Sequence, residues 1–278
     1  MADMIGLHDA SRIVLRMAGA DAREVLQGVV TNDVDKVAPG CPVYAALLTP
    51  QGKYMSDFML LDGGGGDVLI DVARDQAAGL AQKLKMYGLR RDAALSVEEG
   101  CEVALVWARS EDGAGDVPLT GEGGTVVTDP RAPALGWRRY GPDAGAWLAG
   151  AGIGPASQSD RDDLRVRLLV PESGVELVPD ETYVLEAGFE RLSGVDFSKG
   201  CYVGQEVTAR MKHKTELRKG LVQVSVDGEA ETGTQVLSAG KPAGTIYTQV
   251  GGRGLAHLRL DRAGPDMEAG AAKVHYAG

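Results

Sequence analysis

Two apolar segments flank Thr49-Pro50-Gln51-Gly52 in the stretch CPVYAALLTPQGKYMSDFMLLD, and this pairing constrains the fold more than any other local feature. Pro50 presets the turn dihedral and Gly52 relaxes its exit, so the stretch reads as an antiparallel hairpin. A second turn at Gly63 to Gly66 leads into the strand DVLIDV, and the strands AALSVEE and CEVALVWA follow. Helices lie between these hairpins. In GADAREVLQGVVTND, residues Ala22, Val25, Leu26 and Val29 recur at helical spacing, and Asp21 with Glu24 reads as a capping box. Ala77, Leu80, Ala81, Leu84 and Tyr87 repeat the spacing as far as Gly88. Helices set between antiparallel hairpins specify an α+β fold and exclude the strict βαβ alternation of a dinucleotide-binding fold.

Residues 110 to 160 are rich in Gly, Pro, Ala and Asp and read as loops with short strands, while RDDLRVRLLVP fits either a helix or a strand. From about Lys219 the pattern changes. LVQVSV, TQVLSA, KPAGTIYTQV and GRGLAHLRL are short alternating segments divided by glycine turns, which predicts a small all-β barrel. The expected organisation is an α+β region over 1–216 and a C-terminal β-barrel over 217–278.

A chain of 278 residues can bury a sizeable core in two domains, and 44% hydrophobic with 24% charged residues is ordinary for a globular protein. Only 5% aromatic residues and a net charge of −10 argue against stacking on single strands and against general polyanion binding, so no strong direct nucleic-acid binding is expected. The N-terminal stretch has neither the apolar core of a signal peptide nor the Arg- and Ser-rich, acid-poor character of a transit peptide. No segment approaches the roughly 18 apolar residues of a membrane span. Cys41, Cys101 and Cys201 are odd in number and far apart, which excludes a disulfide framework and a CxxC clip. The expectation is a cytoplasmic protein with reduced thiols and no membrane association.

Among chemical motifs, the four histidines are scattered and form no HExxH pattern. GGGGD lacks the Lys-Ser/Thr of a phosphate loop, GAGIG lacks a preceding strand, and no G-x-S-x-G elbow occurs. What remains is LSGVDFSKGCYVGQEVTARMKHK, residues 192–214. Gly200 and Gly204 bracket Cys201-Tyr202-Val203 and permit tight backbone geometry. GQEVTARMK is helix-compatible, which puts Cys201 at or just before a helix N-terminus with Lys199 close by. Both features favour thiolate over thiol. A small buried cysteine inside a glycine turn is the alternative that local physics leaves open. The basic flank of Arg210, Lys212, Lys214, Arg218 and Lys219 is either a solvated face or a landing site for an anionic ligand.

KGCYVGQE at 199–206 resembles the signature of the YgfZ family, relatives of the glycine-cleavage T-protein. Leu26-Gln27-Gly28, Thr31-Asn32-Asp33, YAALLTPQGKYMSDFML and LEAGFERLSGVDFSKGCYVGQEVTAR extend the resemblance over most of residues 5–215. It implies a T-protein-like cloverleaf of three subdomains around a central, tetrahydrofolate-binding channel, ending in a small C-terminal β-barrel. It also implies a role in assembling or maintaining iron–sulfur clusters. The partners would be cluster carriers and client enzymes, including radical-SAM enzymes of tRNA modification. Carried over, Cys201 is the essential thiol and one ligand of a transient cluster shared with a carrier, and Lys199 is its electrostatic neighbour. Gly200 and Gly204 shape the loop, Tyr202 and Arg210 belong to the motif, and Gln205 and Glu206 hold the loop by hydrogen bonds. Folate is expected near Asn32, Asp33, Tyr44, Asp57 and Glu186. One departure stands out: Ser56-Asp57 occupies the place where aminomethyltransferases carry adjacent acids, which removes a participant in proton handling. The alternative reading is a tetrahydrofolate-dependent one-carbon transferase or oxidase using Asp57 and Glu186.

Overall fold

A computed structural model describes residues 4–109, 123–213 and 217–278. The chain divides into two compact units, the first comprising the residues up to 48 with 55–157 and 192–203, the second 49–54, 158–191 and 204–278.

The first unit holds two sheets. In one, β3 (Val43–Leu48), β4 (Tyr54–Gly64), β5 (Asp67–Ala73), β2 (Arg12–Ala18) and β6 (Ala94–Val97) lie side by side in that order. In the other the order is β10 (Gly154–Pro155), β1 (Met4–His8), β7 (Glu102–Ala108), β9 (Trp137–Gly141) and β8 (Thr125–Thr128). Strand alternation splits the first sheet into two chemically different faces. Leu15, Met17, Ala45, Leu47, Phe58, Leu60, Ile70 and Val72 form an apolar face. It packs against Val25 and Leu26 of α1 (Ala22–Gln27) and Leu80 and Leu84 of α2 (Ala77–Tyr87). A smaller core joins Ala104 and Val106 to Ala144 and Leu148 of α3 (Ala144–Gly150).

The opposite face of the first sheet sets a buried ionic cluster among apolar side chains such as Val14 and Met59. Asp71 accepts from Arg12 Nε at 2.6 Å, from Arg138 Nη1 at 2.8 Å and from the Tyr140 hydroxyl at 2.8 Å. Arg138 Nε reaches Asp129 at 2.9 Å, and Arg131 grips the same carboxylate through two nitrogens. Burial alone would raise these carboxyls, yet Arg12 and Arg138 beside Asp71, and Arg131 and Arg138 beside Asp129, hold both below the usual range. Arginines in strands, which alternation alone assigns to solvent, here join two sheets.

In the second unit α4 (Gln158–Leu168) and α5 (Gln205–Lys212) accompany a closed barrel of β11 (Lys219–Asp227), β12 (Gln235–Ser238), β13 (Lys241–Val250), β14 (Arg253–Arg259), β15 (Met267–Ala269) and β16 (Ala272–His275). Val224, Val236, Ile246, Leu258, Met267 and Val274 fill its interior. Glu176, fully buried, ties α4 to the barrel by accepting from Arg165 at 3.3 Å and from the Thr248 hydroxyl at 2.6 Å.

The α+β class and the C-terminal barrel agree with the sequence reading. The barrel includes two short closing strands, β15 and β16, that lack a distinctive pattern. RDDLRVRLLVP resolves mostly as helix α4. The stretch after 123 contains α3 as well as strands, where only loops and strands were expected. The capping box does not form. Asp21 accepts from the Asp92 amide at 2.9 Å, and Glu24 pairs with Arg91 at 3.0 Å, so tertiary donors displace the local cap. Among the described residues no helix is long and apolar enough to cross a membrane.

Candidate functional site: the Cys201 loop

Cys201 is exposed. The alternative of a cysteine buried inside the turn is therefore excluded, and the residue sits on a segment, 192–203, that is fastened along its length. Thr31 Oγ1 donates to Gly194 O at 2.6 Å, Asn32 Nδ2 donates to Ser193 O at 2.7 Å, and the Asp196 amide donates to Thr31 O at 3.0 Å. Asp196 in turn accepts from the amides of Ser198 and Lys199 and from Lys36 Nζ. The sequence signal for this is local, an Asp two residues before a Ser, whose carboxylate closes an Asx turn.

Lys199 is buried. Its ammonium donates to Gln27 O at 2.9 Å, Val30 O at 2.7 Å and Asn32 O at 2.9 Å, just beyond the C-terminus of α1. An ammonium has three donors, and here three carbonyls take them. Burial pulls its pKa down to about 8, against the opposing charges of Asp33, Asp196 and Asp35. Tyr202 is buried with its ring centroid 5.2 Å from the same nitrogen.

The two glycines differ. Gly204, with φ +82°, is the N-cap of α5 in the left-handed region that favours glycine. Gly200 has no such φ, and a Cβ built on it would meet nothing within 4 Å. The fold does not demand a glycine there, so the missing side chain leaves the surface beside Cys201 bare. Downstream, Glu206 accepts from Arg210 Nη2 at 2.6 Å, one turn along the exposed face of α5. That bond braces the helix, while Gln205 is half-buried at its first position. Of the basic flank, Lys212 pairs with Glu190, and Lys214 lies outside the described residues.

Four of the residues expected near folate form one hydrogen-bonded chain. Asn32 Nδ2 also donates to Tyr44 O at 2.8 Å, Asn32 Oδ1 accepts from the Asp33 amide at 2.8 Å, and the Tyr44 hydroxyl donates to Asp57 Oδ2 at 3.0 Å. Tyr44 and Asp57 are 1% and 3% exposed, so neither presents itself at a surface. The Arg131 guanidinium lies 5.5 Å from the Tyr44 ring centroid, which connects this chain to the buried arginine layer. Glu186 belongs to the second unit, where it pairs with His257 Nε2 at 3.1 Å. Through Lys199 and Asn32, the Cys201 loop and the Asn32–Tyr44–Asp57 chain share one scaffold.

Known proteins resemble this chain in fold and in sequence. Residues 218–277 match the family described as CAF17, C-terminal beta-barrel domain. The structure of aminomethyltransferase T of the glycine cleavage system from Bartonella henselae superposes with a TM-score of 0.80 over 99% of this chain and 86% of that one, at 13% identity. This shows the shared fold. The iron–sulfur cluster assembly factor IBA57 homolog, mitochondrial, of Phaeosphaeria nodorum is 30% identical over 90% of this chain and 69% of its own length. The protein of the same name from Neurospora crassa is 32% identical over 76% of this chain, which spans about half of it, 51%. The relatives are thus IBA57 proteins, close to the expected YgfZ group but a distinct member of it. Their names also overturn the expected cytoplasmic location, because both are designated mitochondrial. An ordinary-looking N-terminal stretch carried no signal on that point. With this identity and coverage, the chain belongs to the family of IBA57 iron–sulfur cluster assembly factors.

Proposed function

We propose that this chain assembles or maintains iron–sulfur clusters in client enzymes and acts through the Cys201 thiol. The observation that carries the reading is the exposed thiol on a fastened loop, beside the bare surface at Gly200, in a chain related to cluster assembly factors. Among the described residues, no three His, Cys, Asp or Glu side chains are grouped to hold a metal. A single thiolate supplies one ligand, and an iron–sulfur cluster takes about four. The cluster is therefore cargo, with the other ligands coming from a carrier protein. In the exchange, the Cys201 thiol releases its proton and forms an Fe–S bond, while one carrier thiolate leaves and takes up a proton. No electrons change hands. Client enzymes of the radical-SAM class fit as recipients.

The proposal extends to tetrahydrofolate through one carboxylate of the Asn32–Tyr44–Asp57 region, that of Asp33. Asn32 and Tyr44 have their N–H and O–H donors engaged within the protein. Asp33 is a half-buried carboxylate whose Oδ1 accepts from Gln27 Nε2 at 2.7 Å and from the Asp35 amide at 3.1 Å, and its Oδ2 lies outside these bonds. Such an acceptor suits the ring N–H and amino donors of a pterin. When bound, the cofactor would supply a nitrogen able to carry a one-carbon group.

The test is anaerobic. The protein is mixed with a cluster-loaded carrier and an apo client, and delivery is followed by visible absorption and client activity. Cys201→Ser should abolish the acceleration of delivery. Unchanged delivery would remove Cys201 from the mechanism.

A further inference from the structure

We infer that Lys199 is a positioning residue: its ammonium, held by the carbonyls of Gln27, Val30 and Asn32, fixes the loop from which Cys201 is presented to a partner. The inference rests on the reading of Cys201 given above and names what sets the sulfur in place.

The geometry departs from the role that sequence proximity suggests. A lysine two residues from a cysteine invites an electrostatic account, in which the positive charge stabilises the thiolate. Here the ammonium is buried, and its three protons point to three main-chain oxygens at 2.9, 2.7 and 2.9 Å. The Gln27 carbonyl lies at the end of α1, where carbonyls lose their helical partners and need donors, and that of Val30 follows three residues on. The third belongs to Asn32, whose own side chain fastens Ser193. Lys199 thus closes a ring of contacts that begins at Ser193 and ends two residues before Cys201.

The choice of lysine follows from the same contacts. An ammonium offers three donors arranged tetrahedrally about one atom and can meet three convergent carbonyls. The guanidinium of arginine is a planar fork whose five N–H groups diverge. Charge conservation should therefore fail to conserve function. A neutral side chain of similar length should leave three buried carbonyls without a donor.

Three measurements test this. In the unaltered protein, a buried, fully hydrogen-bonded ammonium should give a slowly exchanging 15Nζ signal with through-bond couplings to the three carbonyl carbons. Absence of the signal overturns the inference without any variant having to fold. Next, a nitroxide attached to Cys201 in a Cys41→Ser background should show a restricted electron paramagnetic resonance line shape. Lys199→Met and Lys199→Arg should both convert it to a mobile one. An unchanged line shape in either variant refutes the clamp. Finally, both variants should slow carrier-to-client cluster delivery by about tenfold or more, as misplaced reacting groups do. If Cys201→Ser leaves delivery intact while the line shape still depends on Lys199, the proposed function falls and the clamp stands. If Cys201→Ser abolishes delivery but Lys199→Arg delivers normally, the clamp falls and the function stands.

Discussion

Arg138 Nη1 donates to Asp71 Oδ2 across 2.8 Å, and this pair joins the two sheets of the first unit inside a layer that water does not reach. Both partners are deeply buried, and Asp71 is flanked a second time by Arg12. Removing one charge from such a group leaves the others unbalanced in low dielectric, at a cost of about 3–5 kcal/mol. Asp71→Asn should lose that much in urea unfolding at pH 7. The acid dependence follows from the same charges. Asp71 and Asp129 have folded pKa values below the unfolded value of about 3.9. Their contribution is complete above that value and is lost as pH falls below it toward the folded pKa values. Stability should therefore hold from pH 7 to about 5 and drop steeply below about 4, and Asp71→Asn should show a shallower acid limb. An identical limb in the variant would show that other carboxylates govern acid unfolding.

The three thiols should react unequally. Cys41 and Cys201 are exposed, whereas Cys101 is half-buried and burial pushes its pKa up to about 11, with Glu98 and Asp71 adding to the rise. The thiolate is the reacting species, so iodoacetamide at pH 7.5 should modify Cys41 and Cys201 and leave Cys101 largely untouched. Peptide mass spectrometry before and after denaturation reads the pattern. Fast modification of Cys101 in the native protein would contradict it.

These elements also show where sequence reasoning succeeded and where it stopped. The hairpin around Pro50 and Gly52 was legible because turn residues act locally, and Gly52 indeed takes a φ of +75°. The buried face of α1 followed from periodicity. Its cap did not, because Asp92 and Arg91 lie some seventy residues away and no local pattern announces them. The polar inter-sheet layer was hidden for the same reason. Arg12 and Arg138 stand at alternating strand positions that look solvent-facing until the second sheet covers them. At the site, the motif pointed to the right loop, but the partners of Lys199 are backbone carbonyls, which no residue identity encodes.

Gly200 offers a separation of stability from function. Its backbone is free of left-handed strain and the place of a Cβ is open, so alanine is sterically acceptable. Gly200→Ala lowers the entropy of the unfolded chain and should stabilise the protein by about 0.4–1 kcal/mol. The added methyl nevertheless projects beside the exposed Cys201 and should hinder a partner that approaches the sulfur closely. Raised or equal stability in thermal melts with slower cluster delivery is the expected combination. Unimpaired delivery would mean that the bare surface at this position is not where the partner sits.

Ser56 supplies the last prediction. Alternation along β4 puts Ser56 on the face of Phe58 and Leu60, within the apolar core, and Asp57 on the opposite face, where Tyr44 bonds it. The two residues that stand where adjacent acids would be are therefore not equivalent: only Asp57 reaches the polar layer. Ser56 is 2% exposed, and its Oγ has no hydrogen-bond partner among the described residues. A buried hydroxyl without a partner costs about 1–3 kcal/mol in desolvation. Ser56→Ala removes that oxygen and leaves the small void that one atom filled. The desolvation gain is the larger effect, so the variant should be more stable by about 1 kcal/mol, measured as a shift in urea midpoint at unchanged m. A clear loss of stability would reveal a buried donor or water bound to Oγ and would make Ser56 part of the polar layer after all.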